Sequence, residues 1–285
     1  MEHASPKPEL SRWLRLSLVA LLIAAILSVF VVRTCLAYSG QPPRLFAIFN
    51  ALIVLVSLGV LAWGARVLRR SDWIMAFVIG ACMGIGVSYT SFYPLLELAN
   101  PVLTSLSHGA ALAVLVLAGL AIMRTGGPVV FRIANGEWKK GLQSLGLGLI
   151  MGLPFALLNV YAFSLMQNRS IQWHNPLGAA WQALQPGLVE EVAYRFALLG
   201  FLWLIVRRVW PERAVLIASV LSLLVHNYAH FDNLFRDNLP FALAYGAVVG
   251  LIWGVPMTVL AVRRDLESSV AFHWMQDFVR FAGGF

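Results

Sequence analysis

Charged and imidazole side chains form three groups in the C-terminal third of the sequence, each within an otherwise apolar segment. The members are Glu190, Glu191 and Arg195 in the first group, His226 and His230 in the second, and His273 and Asp277 in the third. An ionisable side chain inside a membrane-spanning segment is costly and is a functional hypothesis by default. A carboxylate among imidazoles indicates activation of water, so the sequence predicts hydrolytic chemistry here.

The spacing of the first group gives its two carboxylates different roles. Pro186 and Gly187 predict the start of a helix, because proline suits the first turn. Glu190 then lies in that first turn, where the helix dipole favours an anion. Glu191 and Arg195 are four residues apart on one helix face and can form an ion pair. Glu191 is therefore expected to be neutralised, while Glu190 is left free as the candidate general base.

The two later groups also have the i, i+4 spacing of one helix face. His226 and His230 therefore point the same way. In the third group, the carboxylate of Asp277 can fix the tautomer of His273 and favour its charged form. We expect His230 and His273 to donate hydrogen bonds to a developing oxyanion. The structural alternative is a buried polar network that only holds helices together.

A metal site is an alternative for the same side chains. His226, His230 and His273, together with a glutamate, could supply the three or four ligands of a zinc site. However, the HxxxH pattern lacks the embedded glutamate of the HExxH zinc helix. We therefore favour a metal-independent site without a cofactor. His108, in an earlier apolar run, could reach the same depth and is interpreted as a packing or pocket-wall residue.

The composition shows what kind of protein surrounds these residues. Of the 285 residues, 60% are hydrophobic and 12% are charged, and the mean hydropathy is +0.78. Soluble domains carry about a quarter charged residues, so a water-soluble fold is excluded. Long continuous apolar runs exclude a β-barrel, and two cysteines exclude a disulfide scaffold. The sequence predicts an all-α polytopic membrane protein, and its net charge of +8 is attributed to orientation rather than nucleic acid.

Apolar runs of the length needed to cross a bilayer, roughly 20 residues, predict eight to nine transmembrane helices. The nine candidates are residues 16–32, 45–65, 73–96, 102–123, 142–166, 187–206, 214–231, 241–262 and 268–283. The first is interpreted as an uncleaved anchor. We divide the chain into N-terminal helices without a motif, residues 1–140, and a catalytic core, residues 141–285.

Lysine and arginine are distributed unequally between the two sides of these predicted spans. Fifteen, including Lys7, fall on one side and five on the other, while Arg195 lies within a span. Cytoplasmic loops carry the excess, so the N-terminus is predicted to be cytoplasmic and the C-terminus outside. We expect a plasma (inner) membrane location, with the three polar groups meeting in one cavity in the extracytoplasmic half of the bilayer.

The ordered motifs resemble those of the CAAX protease and bacteriocin-processing superfamily, which includes the type II CAAX prenyl endopeptidases. The matches are Glu190, Glu191 and Arg195 for EExxxR, His230 for FxxxH with His226 in place of the phenylalanine, and His273 and Asp277 for Hxxx(N/D). The resemblance covers about residues 178–285.

The resemblance implies an intramembrane endopeptidase in which the first glutamate activates water. It implies catalytic roles for Glu190, His230, His273 and Asp277, and supporting roles for Glu191, Arg195 and His226. Similar bacterial members process exported proteins, bacteriocin leaders or sorting tails. The predicted outward-facing site favours the C-terminal sorting tail of an exported protein over a prenylated CAAX protein. The expected partners are the lipid bilayer and a membrane-tethered peptide or protein, without nucleic acid.

Two functions from other classes stay open. A non-catalytic immunity factor or peptide-binding membrane protein could use the same cavity. A proton-coupled transporter could use intramembrane glutamate, histidine and aspartate as a proton relay. The intact trio of motifs favours the enzyme, and no inverted hydropathy repeat supports the transporter.

Overall fold

The computed structural model describes residues 12–40, 42–87, 94–96 and 98–285, and these residues form only helices and their connections. The helices are α1 (Arg12–Ser39), α2 (Leu45–Gly64), α3 (Arg70–Val87), α4 (Pro101–Arg124), α5 (Trp138–Gln167), α6 (Pro176–Gln182), α7 (Gln185–Leu198 continued by Leu199–Val206), α8 (Ala214–Tyr228), α9 (Leu234–Asp237), α10 (Leu239–Arg263) and α11 (Leu266–Ala282). Short 3₁₀ turns occur at Ala65–Val67, Ile133–Asn135 and Pro211–Arg213. The predicted all-α class is confirmed.

Six of the described helices, α1 to α5 and α10, are long and apolar enough to cross a membrane. The other three predicted spans correspond to α7, α8 and α11. Of these, α8 has 15 residues and α11 has 17, while α7 carries the charged first group. The count of eight to nine spans is therefore not confirmed. In the third predicted span the described helix ends at Val87, and residues 88–93, like Lys7, lie outside the described residues.

Asparagine caps begin three of the helices, each with a proline in the first turn. Asn100 precedes Pro101, and its side chain accepts hydrogen bonds from two backbone N–H groups of α4. Asn175 precedes Pro176 and caps α6 in the same way, and Asn238 caps α10. The side-chain oxygen satisfies N–H groups that the first turn leaves without partners, and proline lacks one of those groups. Local sequence thus fixes where these helices start.

The N-terminal helices pack directly against the helices that carry the polar motifs. Among the described spans, α4 is the most buried, and it lies against α2, α3 and α7. At Gly119 of α4 a Cβ atom would overlap the ring of Phe196 in α7, so only glycine allows this approach. At Gly152 of α5 a Cβ atom would lie 2.7 Å from the carbonyl oxygen of Phe272 in α11. Small residues on a helix face allow such close approach.

Polar contacts at the helix ends join loops that the charge count assigns to the same side. The pairs on the predicted cytoplasmic side are Arg15 with Glu212, Arg124 with Asp72 and Arg132 with Asp265, and on the other side Arg33 with Asp232. This pattern agrees with an alternating up-and-down path through the bundle. Which side faces the cytoplasm stays a prediction from the distribution of lysine and arginine.

We expect Asp265→Ala to lower the free energy of unfolding by about 1–3 kcal/mol, because it removes the buried carboxylate that binds Arg132 and Ser144 and caps α11. Asp265 is fully buried and accepts hydrogen bonds from Arg132 at 2.6 Å and from Ser144 at 2.6 Å. It also caps α11 through the backbone N–H of Ser268 at 2.9 Å. Unfolding by SDS titration in mixed micelles would measure the loss.

The control for this measurement is Glu212→Ala, which removes an exposed ion pair with Arg15 at 3.3 Å. Exposed pairs contribute little to stability, so no measurable change is expected. Equal stability of the Asp265→Ala variant and the control would show that the Asp265 cluster does not hold α11 in place.

Candidate active site

A π-helical segment, Gln185–Leu198 at the start of α7, carries the first polar group. The helix begins at Gln185, beside Pro186, where the sequence predicts a start. The predicted first-turn position of Glu190 is wrong, because the first turn contains no acidic residue, and the π winding was not predicted. Wider π turns occur often at functional sites. Glu190, Glu191 and Arg195 are all buried in this segment. The structure thus places two carboxylates and a guanidinium inside the bundle, where each needs partners.

Glu191 has partners at both of its carboxylate oxygens. Its Oε1 atom lies 3.0 Å from Nη1 of Arg195, which confirms the predicted ion pair. The same oxygen lies 2.8 Å from Nδ1 of His273, and Oε2 accepts a short hydrogen bond from the Ser269 hydroxyl. With this many partners, Glu191 is held rigidly and is not available as a base.

His273 is held between two carboxylates. In addition to the Glu191 contact at Nδ1, its Nε2 atom lies 3.2 Å from Asp277, as the sequence predicts. Ionised carboxylates only accept hydrogen bonds, so the geometry requires a proton on both ring nitrogens. His273 could donate to an oxyanion only by leaving the longer contact with Asp277. Asp277 is held in turn by Arg280 at 2.5 Å.

Glu190 contacts the second polar group. Its Oε2 atom lies 2.7 Å from Nε2 of His226 and 3.8 Å from Nε2 of His230. His226 is buried, whereas the His230 side chain is 46% exposed and packs against the ring of Phe46 at 5.2 Å. The histidine that matches the family motif is therefore the more distant one. His226, which stands in place of the phenylalanine of the motif, makes the direct contact with Glu190.

The three predicted groups converge, since every member contacts another through the distances above. The rings of His226 and His273 are 6.0 Å apart, which joins the second group to the third. His108 lies apart from them, and its Nδ1 atom accepts a hydrogen bond from the backbone of Leu95 at 3.0 Å. This contact agrees with the packing role expected for His108.

Residues that the sequence analysis missed complete the surroundings of the site. The Tyr194 ring lies 4.4 Å from that of His226, and its hydroxyl donates to Asn50 of α2 at 3.1 Å. Phe46, also on α2, packs against both Tyr194 and His230. Tyr194 stands within the EExxxR motif, but nothing in the sequence indicates that α2 would contact it.

A cavity of about 960 Å³ lies beside these residues and is lined by helices of both halves of the chain. Five polar members of the site face it: Glu190, His226, His230, His273 and Asp277. Much of the remaining wall is apolar and comes from α5 and α10, including Leu158, Phe163, Met166, Val248 and Ile252. This volume is at the upper end of typical ligand sites, and it suits an extended peptide segment with apolar side chains.

We expect Arg195→Met to lower the free energy of unfolding by less than about 3–5 kcal/mol, the cost of an unpaired buried charge, because Glu191 loses Arg195 but keeps His273 as a partner. The double variant Glu191→Gln with Arg195→Met removes both charges and should recover part of this loss. Unfolding titrations of the wild type, both single variants and the double variant give the coupling energy. A double variant no more stable than Arg195→Met would argue against a coupled pair.

Comparison with family models finds one match, over residues 172–279, to the family described as type II CAAX prenyl endopeptidase Rce1-like. The matched region contains all three polar groups. Comparison with curated proteins and with solved structures finds no match. The resemblance drawn from the motifs is therefore confirmed over residues 172–279, which are similar to the type II CAAX prenyl endopeptidases.

Proposed function

We propose that this protein is an intramembrane endopeptidase in which Glu190 activates the water that attacks a peptide bond. The family match supports a CAAX-type intramembrane endopeptidase, and six membrane-length apolar helices support an integral membrane protein. The observation that carries the mechanism is the position of Glu190. One oxygen is held by His226, and among the described residues none is hydrogen-bonded to the other, Oε1, while the residue lines the cavity.

The proposed reaction uses Glu190 first as a base and then as an acid. A water beside Oε1 gives its proton to the carboxylate while its oxygen attacks the carbonyl carbon of the substrate. The protonated Glu190 then gives that proton to the amide nitrogen as the C–N bond breaks. A free carboxyl group and a free amine result, so no other reactant is needed.

His230 and His273 have different roles in the proposed mechanism. His230, half-exposed to the cavity and 3.8 Å from Glu190, is positioned to donate a hydrogen bond to the developing oxyanion. His273, held by Glu191 and Asp277, contributes positive charge at the same wall. A fixed cation in a site that excludes water stabilises a developing anion more strongly than it would in solvent.

The proposed substrate is a membrane-tethered peptide or protein. The apolar wall from α5 and α10 suits a segment that enters from the bilayer rather than from water. The charge distribution favours an inner-membrane protein with its site in the extracytoplasmic half. Together these features favour an exported substrate, such as a protein with a C-terminal sorting tail. The bilayer itself is the other expected partner, and no feature favours nucleic acid.

A zinc-dependent protease is the second candidate, because Glu190, His226 and His230 present ligand atoms that all lie within 4.8 Å of one another. This group contains a glutamate and two of the three histidines of the predicted zinc set, and His273 is not among them. A histidine that binds a metal usually donates its other ring N–H to an acceptor. The other nitrogen of His226 instead contacts Arg195, which has no acceptor. That contact favours catalysis without a metal cofactor.

We expect Glu190→Gln to reduce cleavage about 10²–10⁴-fold, the usual contribution of a general base, while the protein stays folded and inserted. Glutamine keeps the size of the side chain and can still accept from His226. Mass spectrometry of protein termini in membrane and secreted fractions would compare wild-type and variant cells. Precursors with an exported, membrane-tethered segment should accumulate only in the variant.

The control is Asp237→Asn, which removes the same charge from an exposed position on α9 and should leave processing unchanged. Processing that persists in Glu190→Gln cells, with normal insertion, would contradict the proposed role of Glu190. If no terminus differed between wild-type and variant cells, the non-catalytic peptide-binding function would replace the protease.

We expect chelation to leave cleavage unchanged, because Arg195 opposes metal binding at His226. The purified protein would be treated with phenanthroline and assayed on a peptide spanning the cleavage site of an accumulated precursor. Elemental analysis should find no stoichiometric zinc. Loss of cleavage on chelation, followed by recovery on adding zinc, would establish the metal-dependent alternative.

A further inference from the structure

The buried contact between Arg195 and His226 points to a role for a residue that the family motif does not contain. We propose that Arg195 fixes His226 as the neutral tautomer with its proton on Nε2, and that this proton holds Glu190 in the orientation of the active base. The inference rests on the proposed function, because it takes Glu190 as the base. It makes His226 a positioning residue that acts through Glu190.

The arginine side of the contact decides which nitrogen of His226 carries a proton. Nη1 of Arg195 lies 2.6 Å from Nδ1 of His226, and both side chains are almost fully buried. A guanidinium has five donors and no acceptor, and it stays protonated in proteins. Nδ1 must therefore accept and cannot carry hydrogen. The same argument excludes the doubly protonated ring, because two donors would then face each other.

A second contact, between His226 and Glu190, shows where the remaining ring proton, on Nε2, is donated. Nε2 of His226 lies 2.7 Å from Oε2 of Glu190, and an ionised carboxylate only accepts. The N–H of the ring therefore donates to Oε2. The Tyr194 ring, 4.4 Å from that of His226, packs beside the imidazole. With Oε2 held, Oε1 is the oxygen available to a water in the cavity.

A neutral donor suits a general base better than a charged one. An imidazolium beside Glu190 would stabilise the carboxylate strongly and make it a weaker base. The charged and titratable groups around His226 lie on α7, on α11 and just beyond the end of α8: Glu190, Glu191, Tyr194 and Arg195; His273, Asp277 and Arg280; and His230. Among these described residues, Arg195 alone is hydrogen-bonded to Nδ1, so it sets the tautomer.

The motif itself suggests the most informative variant. His226 occupies the phenylalanine position of FxxxH, and phenylalanine has no hydrogen-bonding atom. His226→Phe therefore removes the donor while filling the site with a ring of similar shape. A hydrogen bond to a charged group contributes about 1.5–3 kcal/mol, so we expect kcat to fall about 10- to 100-fold with little change in KM. His226→Gln, which restores an N–H donor, should recover part of the loss.

Nitrogen NMR of the full-length protein in micelles tests the tautomer directly. With ¹⁵N-labelled histidine, the signals lost in His226→Gln identify the ring of interest. We expect Nδ1 without a proton and Nε2 with one throughout the neutral range of pH. In Arg195→Met this restriction should disappear, so that the ring populates both tautomers or becomes protonated. A proton on Nδ1 in the wild type, or an unchanged tautomer in Arg195→Met, would overturn the inference.

Kinetic measurements are the second test. They separate the positioning role of His226 from the role of Glu190 as the general base. The probe is a synthetic peptide spanning the cleavage site of a precursor that accumulates in Glu190→Gln cells. Equal kcat values for His226→Phe, His226→Gln and the wild type, with cleavage still dependent on Glu190, would overturn the positioning role alone. Cleavage that does not depend on Glu190 would overturn the proposed mechanism. The NMR measurement remains decisive for the tautomer even if no precursor is found.

Discussion

One buried guanidinium determines the arrangement of the polar cluster. Arg195 is 1% exposed, and its charge cannot be removed by deprotonation, so its surroundings must supply acceptors. Glu191 accepts as a carboxylate, and His226 accepts at Nδ1. Glu191, which Arg195 orients, also contacts His273. His226, which the same arginine orients, also contacts Glu190. Loss of Arg195 would therefore disturb a stability cluster and the candidate base together, through two separate contacts.

Sequence reasoning predicted the parts of the site that depend on local spacing and on the cost of polar groups in a membrane. The pairs Glu191 with Arg195 and His273 with Asp277 lie four residues apart, and both are present. The direct contact of Glu190 with His226 rather than His230 depends on how α7 and α8 pack, which spacing alone does not determine. The roles of these residues in catalysis stay predictions.

The number of membrane spans is a second feature that composition alone does not determine. The helices that carry the site are the ones that fail the criteria for an ordinary membrane span, because α8 and α11 are short and α7 contains charged residues. Glutamate, arginine, histidine and aspartate lower the mean hydropathy of a segment in which the hydrocarbon region would otherwise favour apolar side chains. The polar residues of the candidate site therefore weaken the hydropathy signal of the helices that carry them.

The contact of α2 with α7 limits which fragments and chimeras of this protein can keep the site intact. The region matched by the family model begins at residue 172, whereas Asn50 and Phe46, which contact Tyr194, lie far upstream in the chain. A fragment cut at the family boundary would leave the buried Tyr194 hydroxyl without this acceptor and one wall of the cavity missing. Chimeras between relatives would thus have to exchange α2 together with α7. The region that carries the three polar groups cannot be transferred alone, because residues that support it lie more than a hundred positions earlier in the sequence.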